Sequence, residues 1–309
     1  MKISDTPIIR ISVSNITTFP RKTAVSQRWT FPRDFLLIPI LRSSTTFAEL
    51  APCRRTGYNP KMPETPIEVQ LFVTCIVDTL YPETGEAVVR VLERAGAQVG
   101  FPSGQTCCGQ PAFNAGLRPL ARQMAEHTIQ VLEAAPGPVI LPSGSCSAMV
   151  RHGYPELFGD DLDWLPRAKA LAGRTYEFTE FLVDVLGVTD LGSCFPGSLT
   201  YHSSCHLLRD LGVKDQPRLL LGSVREAQIV DLPHAEECCG FGGLFSIEHP
   251  EISAAMAARK VENIQASGAS LVVSCDAGCI ANMNGSLHRQ GCSQRAIHIA
   301  EVLDRTENA

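Results

Sequence analysis

The feature that most constrains the fold is a cysteine pattern that occurs twice along the chain. In the first copy, Cys75 precedes an adjacent pair, Cys107-Cys108, by 32 positions. In the second copy, Cys205 precedes the pair Cys238-Cys239 by 33 positions, and a glycine follows each pair. Two such motifs at matched spacing predict that one structural unit is repeated.

A further cysteine completes each copy. Cys146 follows Cys108 by 38 positions, and Cys279 follows Cys239 by 40 positions. The three landmarks are offset between the copies by 130, 131 and 133 positions. The two copies therefore correspond over most of their length, and what one copy does can be compared with the other position by position.

Short apolar segments and amphipathic segments alternate around these cysteines. The pattern predicts strands at 69–75, 98–101, 138–141, 199–205, 227–232 and 270–273. It predicts helices at 84–95, 117–134, 217–226 and 250–267. Strand–helix alternation favours parallel sheets covered by helices. The prediction is an α/β protein of two pseudo-repeated, small doubly wound domains with parallel sheets, at 62–190 and 191–309.

Residues 1–61 differ from the rest of the chain. They contain 10 Lys and Arg but only three Asp and Glu, and they show no periodicity. We interpret them as an irregular basic extension, either disordered or preceding a true start at Met62; a targeting peptide is the weaker alternative. The whole chain has a net charge of −5 and no apolar run of about 20 residues. This argues against nucleic-acid binding and a membrane span. We expect a cytoplasmic location, because the sequence has no signal for an oxidising compartment.

Each group of cysteines follows the end of a predicted strand. In doubly wound sheets, ligands bind beyond the carboxyl ends of the strands. We therefore expect the cysteines to converge at one edge. The glycines after the pairs, Gly109 and Gly240, permit unusual backbone angles and are expected to allow close approach of a bulky ligand.

Clustered thiolates are soft ligands that select iron–sulfur clusters, zinc or Cu(I). The first copy offers four cysteines and the second offers five: Cys75, Cys107, Cys108 and Cys146, then Cys205, Cys238, Cys239, Cys275 and Cys279. Adjacent cysteines chelate one small ion with difficulty but can reach different irons of a cluster, which favours a cluster over zinc. The alternative is that they are buried thiols or disulfides. We apply that interpretation to the cysteines outside the repeat: Cys53, Cys194 and Cys292.

These motifs resemble the cysteine-rich (Cys-Cys-Gly) domain family. They are Phe72-Val-Thr-Cys75, Gln105-Thr-Cys-Cys-Gly-Gln-Pro111, Gly144-Ser-Cys146, His202-Ser-Ser-Cys-His-Leu-Leu-Arg209, Cys238-Cys-Gly-Phe-Gly-Gly243 and Asp276-Ala-Gly-Cys279. Members of this family include the cysteine-rich subunit of heterodisulfide reductase and the glycolate oxidase iron–sulfur subunit. The match looks closest to the lactate utilisation protein A type, and it covers residues 68–304.

The resemblance implies an iron–sulfur electron-transfer subunit of a complex that oxidises L-lactate to pyruvate. It implies two partner subunits, one with ferredoxin-like cluster motifs. The implied ligands of a cluster, [4Fe–4S] by preference, are the nine cysteines of the two copies, with Cys275 the least secure. Heterodisulfide reductase relatives hold a noncubane [4Fe–4S] cluster with five cysteines per copy, and the first copy lacks the fifth. Some relatives hold zinc in one copy.

Two other functions remain open at this point. One is a thiol or disulfide redox subunit of the heterodisulfide reductase type. The other is a zinc-binding assembly scaffold without catalytic activity.

His206 and Arg209 are the candidate catalytic residues, because a cationic group beside the cysteines could bind a carboxylate. His202, His298 and Asp276 are weaker candidates. Gly240 to Gly243 is a weak phosphate-loop signal, and no stronger glycine-rich loop for NAD, FAD or ATP is present. Lactate oxidation releases two electrons, so either a cluster does unusual chemistry or a partner carries the two-electron acceptor.

Overall fold

The computed structural model describes residues 66–306, and these form two four-stranded parallel sheets. The first contains β1 (Ile67–Leu71), β2 (Ala97–Gly100), β3 (Val139–Leu141) and β4 (Thr175–Glu177), in the order β2-β1-β3-β4. The second contains β5 (Cys194–Tyr201), β6 (Arg225–Val230), β7 (Leu271–Ser274) and β8 (Arg295–His298), in the order β6-β5-β7-β8. The predicted α/β fold with two repeated units is confirmed. The predicted extension, 1–61, lies outside the described residues.

The helices of the first repeat connect its strands and cover its sheet. They are α1 (Cys75–Leu80), α2 (Pro82–Arg94), α3 (Gln110–Asn114), α4 (Arg118–Glu133), α5 (Gly144–Ala148), α6 (Tyr154–Leu157), α7 (Trp164–Ala172) and α8 (Phe178–Glu180). Two π-helical turns continue α5 and α8, at Met149–Gly153 and Phe181–Val185.

The second repeat has a similar arrangement. After a π-helical turn at His206–Asp210, its helices are α9 (Gln216–Gly222), α10 (Phe245–Glu248), α11 (Pro250–Ser267), α12 (Ala277–Arg289) and α13 (Ile299–Asp304). In each sheet, the chain leaves the first strand toward one edge and returns to the third strand on the other side. The first and third strands therefore flank the topological switch point where ligands bind in such sheets.

Local sequence explains the main elements. Proline is well suited to the first turn of a helix, and α2 and α11 start at Pro82 and Pro250. One face of α2 buries Val88, Val91 and Leu92, as its periodicity predicts. All three residues of β3 are buried, which is typical of a central parallel strand covered on both faces.

The structure corrects three details of the predicted elements. The strands predicted to end at Cys75 and Cys205 end earlier, at Leu71 and Tyr201, and both cysteines begin helical turns. The helix predicted at 217–226 ends at Gly222, because Arg225 already pairs with Cys194 in the sheet. The pattern did not predict β4 and β8, which are only three and four residues long.

The two repeats are joined through α2 and α13. Arg94 donates hydrogen bonds to the carbonyl of Leu303 at 2.8 Å and to the carboxylate of Asp304 at 2.9 Å. The hydroxyl of Thr84 donates to the carboxylate of Glu301 at 2.9 Å. These contacts join the two repeats. Among residues 66–306, no helix has both the length and the apolar character needed to cross a membrane.

Candidate metal centre

Eight cysteines line one cavity of about 130 Å³ at the carboxyl edges of the two sheets. Four come from each repeat: Cys75, Cys107, Cys108 and Cys146 from the first, and Cys205, Cys238, Cys239 and Cys279 from the second. All eight are free thiols. The folded chain therefore brings together residues that are up to 204 positions apart in sequence.

The thiols of the first repeat form one connected set. The Sγ atoms of Cys108 and Cys146 lie 3.3 Å apart. The thiols of Cys108 and Cys75 hydrogen-bond to Cys107 and lower the pKa of its thiol to about 3. Cys107 is thus held as a thiolate, which is the form that binds soft metals.

The second repeat has the same arrangement. Hydrogen bonds from the thiols of Cys205 and Cys239 lower the pKa of the Cys238 thiol to about 2. Cys239 in turn contacts Cys279. In both repeats the first member of the adjacent pair is therefore the thiolate, and its neighbours are its hydrogen-bond donors.

The glycine after each pair is required by packing against a helix. Gly109 and Gly240 have φ of 85° and 87°, in the left-handed region. A Cβ at Gly240 would lie 2.8 Å from the carbonyl oxygen of Ser253 in α11, and one at Gly109 would lie 3.2 Å from Cβ of Met124 in α4. The close approach predicted for a bulky ligand is therefore, in the structure, an approach to the next helix.

Substitution of Gly240 by alanine is expected to destabilise the protein more than the same change at Gly243. Both positions have positive φ, which costs a non-glycine residue about 1–2 kcal/mol. At position 240 the added Cβ would also clash with backbone, whereas an added Cβ at Gly243 meets nothing within 4 Å. Anaerobic thermal unfolding of both variants measures the difference, and equal losses would contradict the packing argument.

The last cysteine of each copy lies in the first turn of a helix. The side chain of Ser143 caps α5, which contains Cys146, and the carboxylate of Asp276 caps α12, which contains Cys279. Asp276 also accepts hydrogen bonds across the repeats, from the Ser143 hydroxyl at 3.2 Å and from the Ser145 N–H at 2.9 Å. This carboxylate joins the two helix starts that present these cysteines to the cavity.

Cys275, the ninth candidate ligand, lies elsewhere. It does not line the cavity, and its Sγ is 3.7 Å from the hydroxyl of Tyr201. Burial and the neighbouring carboxyl of Glu177 raise the pKa of its thiol well above the usual range. The reason is its place in the chain: Cys275 precedes the helix cap Asp276, whereas Cys279 follows it in the first helical turn.

The two candidate catalytic residues differ in whether they line the cavity. His206 lines the cavity, with Nδ1 3.6 Å from Sγ of Cys205. The guanidinium of Arg209 instead donates to the carbonyl of Glu236 at 3.2 Å and does not line the cavity. Of the two, His206 alone is placed to meet a molecule bound against the cysteines.

His202 is closer to the thiols than its sequence position suggested. It is fully buried, and its ring nitrogen lies within 4.8 Å of the thiols of Cys239 and Cys279. Burial, followed by the charge of Lys260, lowers the pKa of His202 to about 4, so its imidazole is neutral. The sequence itself distinguishes His202 from its counterpart. The corresponding position in the first copy, three residues before Cys75, is Phe72 and not a histidine.

Two buried titratable residues occupy equivalent places behind the cavity. Glu177 and His298 each end the fourth strand of a sheet and cap the helix that follows. His298 accepts a hydrogen bond from the N–H of Ala300 at 3.2 Å, and burial lowers its pKa to about 4. Both residues therefore serve the fold as buried caps, and His298 does not line the cavity.

The wild-type protein is expected to lose stability as the pH rises, and replacement of Glu177 by glutamine is expected to make that loss smaller. Burial raises the pKa of Glu177 from 4.5 to about 8. Between these values the native protein retains a proton that the unfolded chain releases, so stability falls as the pH increases. The full effect is on the order of 5 kcal/mol. Thermal unfolding from pH 5 to pH 8.5 measures it, with Glu262→Gln as an exposed control. Identical pH profiles for wild type and Glu177→Gln would contradict the prediction.

The remaining cysteines lie apart from the cavity or outside the described residues. Cys194 is buried in β5, and the thiol of Cys292 accepts a hydrogen bond from the amide of Gln265 at 3.2 Å. Neither of these two lines the cavity. Cys53 falls in the part of the chain that the structure does not describe.

The donor set fits a soft metal or an iron–sulfur cluster. The eight cavity thiols form two sets, each with a thiolate already stabilised by its neighbours. The second repeat also provides the buried imidazole of His202, whose nitrogens make no hydrogen bond of normal geometry. Among the residues that line the cavity, Asp276 is the one carboxylate, and it already accepts from four hydrogen-bond donors. Such a set disfavours Mg²⁺ and Ca²⁺ and favours thiophilic groups.

Comparison with known proteins shows which family this chain resembles. The family model described as "Cysteine-rich domain" matches residues 69–151 and 199–284. Lactate utilization protein A of Exiguobacterium sp. strain AT1b is 49% identical over 237 residues, covering 76% of this chain and 96% of that protein. The protein of the same name from Bacillus cereus strain B4264 is 46% identical, covering 77% and 99%.

A solved structure shares the fold. A hypothetical protein from Helicobacter pylori matches with a TM-score of 0.52 and 12% identity, covering 81% of this chain and 51% of its own. At that identity the likeness concerns the fold alone. The repeated motif, its cavity and the relatives lead to one assignment: this chain belongs to the cysteine-rich domain family and is a member of its lactate utilization protein A type.

Proposed function

We propose that this chain is an iron–sulfur electron-transfer subunit of a complex that oxidises L-lactate to pyruvate. The observation that carries the proposal is the pair of four-thiol sets that line one cavity. Relatives that match over more than three-quarters of this chain are named for lactate utilization. Their name supports the substrate, and the thiols support the cofactor.

The residues that would hold iron–sulfur groups are the eight cavity cysteines. Such groups supply one-electron transfer when bound. The chain itself keeps Cys107 and Cys238 as thiolates. It holds the starts of α5 and α12 together through Asp276. It also excludes water around the buried thiols Cys108 and Cys239.

A subunit rather than a complete enzyme fits the balance of the reaction. Oxidation of lactate to pyruvate releases two electrons and two protons, and a hydride or carbanion acceptor normally takes the pair. The sequence offers no strong nucleotide-binding loop for such an acceptor. We therefore assign the two-electron step to partner subunits and one-electron transfer to this chain, in the cytoplasm.

The test is anaerobic purification of the full chain followed by iron, acid-labile sulfide and zinc analysis with an absorption spectrum. We expect a brown protein with iron and sulfide in comparable amounts. Zinc without iron would contradict the electron-transfer function and favour the assembly scaffold.

A second measurement tests the partnership. Lactate oxidation by the purified chain is expected to be absent alone and to appear only with the partner subunits and an electron acceptor. Turnover of lactate by this chain alone would contradict its assignment as a subunit. Turnover of a disulfide with a one-electron donor would support the heterodisulfide reductase type instead.

A further inference from the structure

The second repeat contains a nitrogen donor beside its thiols. His202 is fully buried just after β5, and its ring nitrogen, the thiol of Cys239 and the thiol of Cys279 all lie within 4.8 Å of one another. Among residues 66–306, no other group of three His, Cys, Asp or Glu side chains meets this criterion. Imidazole and thiolate are the two ligand types that zinc and several iron–sulfur centres combine.

The surrounding protein leaves this imidazole unpaired. In the described part of the chain, neither Nδ1 nor Nε2 of His202 has a hydrogen-bond partner of normal geometry, although the backbone of Ala235 is near. The amine of Lys260, whose charge acts on His202, donates to the carbonyl of His234 at 2.8 Å. A buried polar group without a partner is costly, so it points to a partner that binds there.

The first repeat lacks this feature. Phe72 takes the corresponding position, three residues before Cys75, and it is 1% exposed within the apolar core. A phenyl ring cannot bind a metal. The same backbone position thus carries an apolar side chain beside one thiol set and an imidazole beside the other.

We propose that His202 is a ligand of the metal centre in the second repeat, so that the two centres have different ligand sets. The first set consists of thiols only, whereas the second adds one imidazole nitrogen. This inference rests on the proposed function, because it presupposes that the second thiol set holds iron. A neutral imidazole among thiolates raises the reduction potential of an iron–sulfur centre, so the two centres would differ in potential.

The test is pulsed EPR on the full chain, purified anaerobically and reduced with dithionite. We expect a nitrogen coupling of the size of a directly bound imidazole in the wild-type protein. Incorporation of ¹⁵N-labelled histidine should shift it to the ¹⁵N pattern. His202→Phe, which copies the first repeat, should remove the coupling while the signal of the first set persists.

Two further variants keep the result interpretable. His202→Asn retains a polar side chain if the phenylalanine does not pack, and the exposed His288→Asn serves as the histidine control. An iron signal without histidine coupling overturns the inference alone. Coupling that survives both His202 variants also overturns it, and His206 would then be the candidate ligand. A protein that takes up no iron overturns the proposed function and this inference with it.

Discussion

Replacement of Cys239 by alanine is expected to remove the iron of the second thiol set and to leave that of the first. Cys239 is 2% exposed and contacts both Cys238 and Cys279, so its loss opens the middle of its set. Cys108 has the equivalent position in the first set, between Cys107 and Cys146. Each substitution should lower the iron content by about half, because in our proposal each set binds its own iron–sulfur group. Iron analysis and EPR of the two variants measure this.

The matched control is Cys275→Ala. Its thiol is as buried as that of Cys239 but faces Tyr201 instead of the cavity. We expect it to retain the wild-type iron content. Loss of iron in this variant would make Cys275 a ligand, as the sequence motif suggested. Loss of all iron on substitution of either Cys108 or Cys239 alone would show that the eight thiols share a single centre.

Asp276→Ala is expected to destabilise the protein strongly, because one carboxylate serves donors of both repeats. The Asp276 carboxylate is 4% exposed and accepts from the N–H groups of Gly278 and Cys279 at 3.1 and 3.4 Å. It also accepts from the Ser143 hydroxyl and the Ser145 N–H of the other repeat. Loss of the cap costs about 1 kcal/mol, and each donor left buried and unpaired costs about 1–3 kcal/mol. We expect a total loss of about 3 kcal/mol, or a midpoint lower by about 6–12 °C.

Asp276→Ser separates the two roles of the carboxylate. Serine is the cap at the corresponding position of the first repeat, Ser143, so it should still cap α12. Because its side chain is one atom shorter than that of aspartate, we expect it to lose the hydrogen bond that Asp276 accepts from the Ser145 N–H of the other repeat. We expect the serine variant to recover about 1 kcal/mol of the loss. Thermal unfolding under anaerobic conditions measures the stability of the alanine and serine variants. Equal stability of wild type and Asp276→Ala would refute the role of this carboxylate.

Much of the fold follows from local sequence. The apolar strands, the amphipathic helices α2, α4 and α11, and the repeat itself are visible because each depends on residues near one another in the chain. β4 and β8 are not visible in this way. The equally short β3 and β7 are visible as largely apolar runs, whereas β4 (Thr-Tyr-Glu) and β8 (Arg-Ala-Ile-His) mix polar and apolar residues. β4 and β8 form because β3 and β7 provide a partner edge.

The candidate site was likewise predictable from the sequence in part. The cysteine spacing identified all eight thiols that the structure brings together, because parallel strands end at one edge and the residues after them meet there. Spacing could not separate Cys275 from Cys279. That depends on where α12 begins, and the Asp276 cap places one cysteine before the helix and the other inside its first turn.

The sequence by itself determined that this protein consists of two cysteine-bearing α/β repeats, since periodicity and spacing are properties of neighbouring residues. Only the tertiary structure decided that the two thiol sets share one cavity, that Asp276 links them, and that His202 is buried beside Cys239 and Cys279. The contacts of His202 and Asp276 join residues 37 to 133 positions apart, and the cavity joins residues up to 204 positions apart. They arise when helices such as α2 and α13 pack the two sheets together, and no local pattern encodes that packing.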